Sequence, residues 1–575
     1  MLIQDQIRKD LTAILEKLNI SSKDLEIEHP VSFEHGDYAT NIAMQAKTKE
    51  DLIPFDLANK IVDTWRASGL PEYLAKIEIA KPGFINFWLD QKFLINQLSQ
   101  VIKEKEKYGS EPVGKGKTVV IDYSSLNIAK PFGIGHLRST IIGQAIYNLY
   151  QFLGYRTVGV NHLGDWGTQF GKLIVAIKKW NKGNVHDLTF EKLEKLYVKF
   201  HSQAEKDSKL EDEARLWFKK LEEKDPEAKK IWQACIEISL KEFDRIYELL
   251  GIKIDHCLGE SFYEDKSKDI IDLAKRKKIA VKSQGALVIK LPELKIPPAL
   301  LLKSDGATTY WARDLACIAY RQKRWQPDLY LYEVGVDQQL HFKQTFASAV
   351  KLGLGKIDQF VHISHGLIRL QDGKMSTRKG KTIHLEKVLN ESIKRAEKII
   401  TKAKNKKEIG VREQKSIAQA VGIGAVKYFD LSHHRSSDIV FDWDKIFVLE
   451  GNSAPYLQYT YARCLSILNK QSEEPINDSQ EVSGARLKAE EITLLRTIYK
   501  FPEILIEAAN GFAPNLVCNF LFDLAQKYNL FYNRLPILGA ERKEIVQRRL
   551  FLTLAVSQLL KNGLQILGIE TPERM

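Results

Sequence analysis

The sequence predicts a multidomain α/β protein with a doubly wound parallel sheet at its centre, an α+β domain before it and an all-α region after it. Between residues 111 and 384, continuous apolar runs typical of strands buried on both faces alternate with helical patterns. After about Leu385 the pattern becomes helical and stays helical. The length of 575 residues suits roughly three to four domains.

Residues 1–110 are predicted to form the α+β domain. A helical pattern covers residues 2–18, and residues 77–80 and 84–88 alternate as strands around a Pro-Gly turn. A Lys/Glu-rich helix then extends to Tyr108. The domain is predicted to end there because a group of turn-forming residues follows: Gly109, Pro112, Gly114 and Gly116.

The central domain, residues 111–384, begins with a predicted βαβ unit. Residues 118–121 form its first strand and residues 156–160 form its returning strand. The helix between them has an apolar face whose residues recur every four positions: Leu137, Ile141, Ala145 and Leu149. Gly154 is predicted to end this helix.

A second strand–helix unit follows later in the central domain. Residues 329–332 and 360–364 are predicted strands on either side of a helix over residues 338–352. In doubly wound sheets, ligands bind at the carboxyl ends of the strands. The remaining segments are predicted to be largely helical: an insertion at 188–278, a connecting segment at 385–450 and a final domain at 451–575.

The composition indicates the cellular compartment of the protein and the kind of partner it binds. A net charge of +13 and a pI near 9.1 favour a polyanionic partner, although charge alone leaves a solvated basic surface equally open. Five widely spaced cysteines form neither a zinc-type set nor a disulfide framework, so a reducing compartment is predicted. The polar start and the lack of long uncharged apolar runs predict a cytoplasmic protein without a membrane partner.

A glycine-rich loop follows the first strand of the central domain. Residues 127–139 read Asn-Ile-Ala-Lys-Pro-Phe-Gly-Ile-Gly-His-Leu-Arg-Ser. The N–H groups and dipole of the helix that starts here favour an anion, and Gly133 and Gly135 let a nucleotide approach the backbone closely. His136 can donate a hydrogen bond to a phosphate oxygen. The alternative is an ordinary helix start with a surface histidine.

A short basic segment occurs on the other half of the predicted sheet. Residues 372–380 read Asp-Gly-Lys-Met-Ser-Thr-Arg-Lys-Gly. Lys374 and Arg378 flank Ser376 and could stabilise the pyrophosphate leaving group of a triphosphate. Alone, the segment could be a solvated basic turn. The presence of both segments on the two halves of one sheet favours a nucleotide-binding site.

With these two segments the chain resembles the class I aminoacyl-tRNA synthetases. That class carries His-x-Gly-His and Lys-Met-Ser-Lys-Ser motifs; here Gly133 replaces the first histidine, and Thr377-Arg378 replaces the last Lys-Ser. The resemblance implies a Rossmann-type catalytic domain. Longer blocks resemble the arginyl family from end to end: residues 35–41, 124–139, 161–171, 310–314, 456–459 and 572–575.

The resemblance also implies which residues bind the small substrates. Arginine is expected at Asp122, Asn127, Tyr310, Asp314 and Gln338, with Asp337 open as an alternative to Gln338. Carboxylates suit this substrate because a guanidinium stays charged and has five donors in one plane. The expected ATP contacts are Gly133, Gly135, His136 and Lys374, and the expected catalytic residues are His136, Lys374, Ser376 and Arg378.

For tRNA, the resemblance implies contacts at both ends of the chain. The N-terminal domain is expected to contact the D-loop through Phe84 and Asn86, and the last domain to bind the anticodon through Tyr459 and Met575. Core packing is the alternative for both aromatic residues. ATP with Mg²⁺ as substrate, no zinc or other bound metal, and a monomer are further expectations. Whether arginine activation also needs bound tRNA stays open.

The predicted reaction converts ATP, L-arginine and tRNA(Arg) into L-arginyl-tRNA(Arg), AMP and diphosphate through an arginyl-adenylate. Two alternatives stay open. One is a class I synthetase for another amino acid, which the acidic Asp122 and Asp314 disfavour. The other is a catalytically inactive relative that binds RNA or assembles with proteins; Gly133 suggests it, and His136 and Lys374 disfavour it.

Overall fold

The computed structural model describes residues 2–46, 52–369, 383–402, 410–448, 451–470 and 486–575. The N-terminal region is an α+β unit, as predicted. Its three strands form an antiparallel sheet in the order β1-β3-β2, and Phe87 packs against Trp65 with ring centroids 5.6 Å apart. The elements are α1 (Ile3–Lys17), β1 (Tyr38–Thr40), α2 (Ile42–Gln45), α3 (Pro54–Ala67), β2 (Leu74–Ala80), β3 (Phe84–Leu89) and α4 (Gln91–Glu104).

The central region alternates strands and helices. Its first elements are β4 (Thr118–Asp122), α5 (Ile134–Phe152), β5 (Arg156–Asn161), α6 (Thr168–Trp180), α7 (Phe190–Ala204), α8 (Lys209–Glu222), α9 (Pro226–Leu250), β6 (His256–Cys257) and α10 (Glu260–Arg276). They are followed by β7 (Ala280–Ser283), β8 (Ala286–Ile289), β9 (Ala299–Leu302), α11 (Tyr310–Trp325), β10 (Leu329–Gly335), α12 (Gln339–Leu352), β11 (Phe360–His365) and β12 (Ile368–Arg369).

Five of these strands form one parallel sheet, in the order β11-β10-β4-β5-β6. In the central strand β4, Val120 lies opposite Tyr330 on one side and Val158 on the other. The apolar side chains of β4 are fully buried, as a strand covered on both faces requires. The predicted doubly wound sheet is therefore confirmed.

Helix α5 is buried along most of its length. It packs between the parallel sheet and the C-terminal helices, so an apolar surface nearly all round is needed. Gly143 permits its close approach to the sheet, because a Cβ there would lie 2.3 Å from the Cβ of Tyr123. On the other side, the Tyr150 hydroxyl donates to the Ala509 carbonyl at 3.1 Å.

The stretch predicted as a helical insertion is helical from α7 to α9. Its later part also serves the sheet, since β6 pairs with β5 as an edge strand. Helix α10 then packs against α11. The antiparallel sheet β7-β8-β9 that follows was not predicted.

The described residues of the C-terminal region are helical apart from loops and the short strand β13, which pairs in parallel with β12. Its elements are α13 (Leu385–Lys402), α14 (Val411–Leu431), β13 (Ile439–Val440), α15 (Trp443–Ile446), α16 (Ala454–Leu468), α17 (Ala489–Ile498), α18 (Phe501–Asn510), α19 (Pro514–Arg534) and α20 (Lys543–Ile566). The domain limits near residues 110, 384 and 450 stay predictions.

The two ends of the chain meet in a buried polar interface. The Glu503 carboxylate accepts from the Tyr38 hydroxyl at 2.8 Å and lies 2.9 Å from Nε2 of His29. Beside it, the Arg496 guanidinium contacts Oδ1 of Asp37 at 2.6 Å. These contacts fix the N-terminal unit against α17 and α18. Within the described ranges, no helix combines the length and apolar character needed to cross a membrane.

Candidate active site

A cavity of about 540 Å³ opens at the carboxyl ends of β4 and β10. This is the edge of the sheet where parallel α/β folds bind ligands. Side chains from the end of β4, the loop after it, the first turns of α11 and the start of α12 converge there. The cavity is lined by all five residues predicted to bind arginine: Asp122, Asn127, Tyr310, Asp314 and Gln338.

Asp122 is the last residue of β4 and is almost completely buried. Its Oδ2 atom lies 2.5 Å from Nη2 of Arg321, a fully buried residue of α11. Its other oxygen, Oδ1, accepts from the Ser125 hydroxyl at 3.3 Å. The carboxylate predicted to bind a substrate guanidinium is thus already paired with an internal one.

Asp314 forms no ion pair with a guanidinium group of the described residues and is more accessible, with 27% of its side chain exposed. His341 donates to Oδ2 at 2.6 Å, and Nε2 of His162 is 4.0 Å from Oδ1. Burial acts to raise the pKa of Asp314, but the hydrogen bond from His341 and the charge of His162 and Arg313 outweigh it, and the pKa lies below its usual value. Asp314 is therefore an ionised carboxylate at neutral pH.

The wall of the cavity includes aromatic and amide groups. Tyr310, 46% exposed, stacks on Trp311 with centroids 4.0 Å apart. Gln338 is exposed at the N-cap of α12, and Asn127 lies against Gly164, where a Cβ would be 2.2 Å from its Oδ1. These groups can orient a polar ligand around the two carboxylates.

Glu260, at the start of α10, is a third carboxylate of the cavity that the sequence interpretation missed. Nη2 of Arg313 lies 3.4 Å from Oε2 of Glu260. Burial raises the pKa of Glu260, and the Arg313 charge opposes this. Glu260 comes shortly after the edge strand β6, whose two residues are too few to be recognised as a strand in the sequence.

His162 also lines the cavity and was not singled out from the sequence. Burial disfavours its charged form, but Cys317 and the carboxylates of Asp122 and Asp314 outweigh burial and raise the pKa of His162 to about 9. Its ring stacks on Tyr263, 5.6 Å away. His162 is therefore a titratable group that can carry a proton next to the carboxylates of Asp122 and Asp314.

The first signature forms the N-terminus of α5, with Gly133 as the N-cap. The Gly133 N–H donates to Nδ1 of His136 at 3.3 Å, which leaves Nε2–H as the donor of a neutral ring. Burial, with a contribution from Lys130, lowers the pKa of His136 to about 4, so the ring is neutral at physiological pH. Apart from its chain neighbours and the backbone of its own helix, no described atom lies within 4 Å of a Cβ built on Gly135, so the helix start is open to a ligand.

The second signature lies outside the described residues, and with it the predicted Lys374, Ser376 and Arg378. The chain just after it is described and pairs with the first signature. The Ile134 N–H donates to the Ile383 carbonyl at 3.0 Å, and the Leu385 N–H donates to the Phe132 carbonyl at 2.8 Å. The segment that follows the second signature is thus paired through backbone hydrogen bonds with the start of α5.

The four predicted tRNA contacts lie in separate places. Phe84 and Asn86 lie on the same face of β3, where Phe84 is half-buried and Asn86 is 5% exposed. Tyr459 is 47% exposed on α16, and its ring lies 4.8 Å from the guanidinium carbon of Arg463. Met575 is partly buried against residues of α13 and α14. Only Tyr459 presents a widely exposed aromatic surface.

Three family models match the chain. They are the arginyl tRNA synthetase N terminal domain over residues 2–89, the catalytic domain of tRNA synthetases class I (R) over residues 97–443, and the DALR anticodon binding domain over residues 457–575. The arginine–tRNA ligase of Clostridioides difficile strain 630 is 42% identical over 561 residues, covering 97% of each chain. The chain belongs to the arginyl-tRNA synthetase family.

Solved structures of arginyl-tRNA synthetases have the same fold. The Plasmodium falciparum structure matches with a TM-score of 0.84 and 26% identity, covering 100% of this chain and 99% of that one. The Thermus thermophilus structure, at 21% identity, matches in fold with a TM-score of 0.81 over the full length of both chains. The predicted family, the three-part architecture and the class of enzyme, a class I aminoacyl-tRNA synthetase, are confirmed. The roles of individual residues stay predictions.

Proposed function

We propose that this arginyl-tRNA synthetase joins L-arginine to tRNA(Arg) through an arginyl-adenylate, with ATP converted to AMP and diphosphate. One observation carries the assignment of residues. Three carboxylates, Asp122, Glu260 and Asp314, line a cavity at the same edge of the sheet as the open N-terminus of α5. An acidic pocket and an anion-binding helix start are what a cationic amino acid and a triphosphate require.

The charge of the pocket supports a cationic substrate. Its three carboxylates face the guanidinium groups of Arg313 and Arg321, and Arg313 also pairs with Glu264 outside the cavity, so carboxylates outnumber guanidinium groups. His162, with its raised pKa, can hold a compensating proton until the substrate guanidinium replaces it. An acidic side chain would be repelled, and an apolar one would offer the carboxylates no further hydrogen-bond donor.

Catalysis then depends on positioning and charge. The carboxylate of bound arginine attacks the α-phosphate in line, the bond between the α- and β-phosphates breaks, and diphosphate leaves. The neutral His136 donates from Nε2–H to a phosphate oxygen as negative charge develops. The N–H groups at the start of α5 add to this stabilisation. ATP enters with Mg²⁺ as part of the substrate. The ribose hydroxyl of the terminal tRNA adenosine next attacks the adenylate carbonyl and releases AMP.

The tRNA contacts are proposed for both ends of the chain. Exposed Tyr459, stacked on Arg463, offers a surface on which an unpaired base can stack. Phe84 provides a smaller aromatic surface in the N-terminal sheet. We also propose that the enzyme acts as a monomer, since one chain supplies every group of the pocket, and that it works in the cytoplasm, where translation uses its product.

The test is ATP–pyrophosphate exchange against a panel of amino acids, with and without total tRNA. Exchange with arginine and not with lysine, glutamate or cysteine is the expected result, and the two tRNA conditions decide whether activation needs tRNA. Tight tRNA binding without exchange under either condition would contradict the proposal and favour an inactive RNA-binding relative.

A further inference from the structure

Arg321 lies directly beneath the arginine pocket and has no contact with solvent. It follows Asp314 by seven residues on α11, so both side chains project from the same helix face. Nη2 of Arg321 pairs with Oδ2 of Asp122 at 2.5 Å, and its guanidinium carbon lies 5.3 Å from the Tyr332 ring centroid. Its Nε and Nη1 atoms have no hydrogen-bond partner among the described residues.

A fully buried arginine paired with a carboxylate is not expected to add much to the stability of a protein. Taking a guanidinium and a carboxylate out of water is costly, and replacing a buried pair by apolar groups is often neutral or stabilising. The unpaired donors of Arg321 increase that cost. What distinguishes this pair is its position, because the carboxylate it holds is also part of the pocket wall.

The pairing leaves Asp122 with one oxygen that the internal guanidinium does not occupy. Oδ2 is held by Arg321, and from the part of the chain that the structure describes Oδ1 accepts only the longer bond from Ser125. A carboxylate fixed in this way cannot rotate freely between partners, and its charge is balanced before a substrate arrives. A second guanidinium entering the pocket can then use Oδ1 of Asp122 together with Asp314.

We propose that Arg321 is a positioning residue for the amino-acid substrate, holding the Asp122 carboxylate in one orientation so that a single further guanidinium fits the pocket. The inference rests on the proposed function of the pocket. It assigns to Arg321 an effect on arginine binding, without an effect on ATP binding at the start of α5.

The experiment compares Arg321→Met, Arg321→Lys, Asp122→Asn and the double variant Asp122→Asn/Arg321→Met in ATP–pyrophosphate exchange at saturating tRNA. Arg321→Met should raise the KM for arginine about 10- to 100-fold, as expected for a lost charged hydrogen bond, and leave the KM for ATP within about 2-fold. Arg321→Lys should restore part of the loss, because it keeps the charge without the planar geometry. The double variant should be no worse than Asp122→Asn, since the two residues act as one unit.

Arg548→Met provides the matched control. Arg548 is another buried arginine, 3.1 Å from Glu491 in the C-terminal helices and remote from the pocket in the fold. It should lower the thermal midpoint and leave the KM for arginine unchanged. If Arg321→Met does not fold, Arg321→Lys and the double variant, which has no unpaired buried charge, decide the question by the same KM comparison.

Three results would overturn the inference. They are an unchanged KM for arginine in the folded Arg321 variants, equal increases in the KM for arginine and for ATP, and effects of Asp122→Asn and Arg321→Met that multiply in the double variant. Absence of arginine-dependent exchange in the wild-type enzyme is a different failure, because it would refute the proposed function and the inference with it.

Discussion

Replacing Asp314 by Asn tests the arginine pocket most directly. The substitution keeps the size and shape of the side chain but removes its charge and makes half of it a donor. In the structure, Oδ2 accepts from His341 at 2.6 Å and Oδ1 points towards His162 at 4.0 Å, so the side chain is oriented before substrate binds. A guanidinium would meet an amide N–H in place of a carboxylate oxygen.

The expected cost follows from the environment of Asp314. The side chain is 27% exposed, so the lost interaction is partly screened but much stronger than a surface ion pair. Truncating one partner of a hydrogen-bonded charge pair in such a site costs about 2–4 kcal/mol, which is about 30- to 1,000-fold in the KM for arginine. The KM for ATP should change little, because His136 and the start of α5 are unaltered.

The assay is arginine-dependent ATP–pyrophosphate exchange with saturating tRNA, with arginine and ATP varied separately. Asp305→Asn is the matched control, because Asp305 is an exposed carboxylate just before α11 that does not line the cavity. It should behave like the wild type. A KM for arginine that rises less than about 3-fold in Asp314→Asn would refute the assignment, since that is below the effect of one charged hydrogen bond.

Three further predictions concern His136 and Tyr459. His136→Ala should lower kcat about 10²- to 10³-fold with little change in the KM for arginine, as for loss of a transition-state donor; an unchanged kcat in pre-steady-state assays would refute that role. Burial lowers the pKa of His136 to about 4 in the folded protein, so this histidine binds a proton in the unfolded chain first as the pH falls. The stability that neutral His136 contributes is therefore fully present above pH 6.5 and is lost as the pH falls towards 4. When the pH is lowered from 7.5 to 5, the free energy of unfolding of His136→Asn should therefore fall by about 2 kcal/mol less than that of the wild type, as read from thermal midpoints. Equal decreases in the two proteins would contradict this. Tyr459→Ala should raise the KM for tRNA about 10-fold by removing one stacking surface, while Tyr461→Phe, a change inside the same helix, should not.

Much of the site could be predicted because its residues follow strand ends. Asp122 ends a continuous apolar strand, and Gln338 follows another, so the geometry of a parallel sheet brings them to one edge. The family resemblance supplied all five predicted residues of the pocket, including Tyr310 and Asp314, which no periodicity would have indicated. Helix α5 was predicted correctly from the sequence because its apolar positions recur over several turns.

The missed residues had no local signal. Arg321 lies in the basic run Tyr-Arg-Gln-Lys-Arg-Trp, which is typical of a solvated helix end, and its burial depends on β4, some 200 residues earlier. Glu260 follows the two-residue strand β6, too short for a detectable alternation. Asn86, predicted as a tRNA contact, lies on the same face of β3 as the half-buried Phe84 and yet is 5% exposed.

The interface between the two ends of the chain has a consequence for synthesis on the ribosome. The hydrogen bond from Tyr38 to Glu503 spans 465 residues. The N-terminal unit therefore cannot form this contact with α18 until nearly the whole chain has been synthesised. At about 5–20 residues per second, this interval is about 25–90 s. During it, the polar face containing Asp37 and Tyr38 is open to water or to other proteins. We therefore expect final docking of the N-terminal unit to be a late, post-translational step.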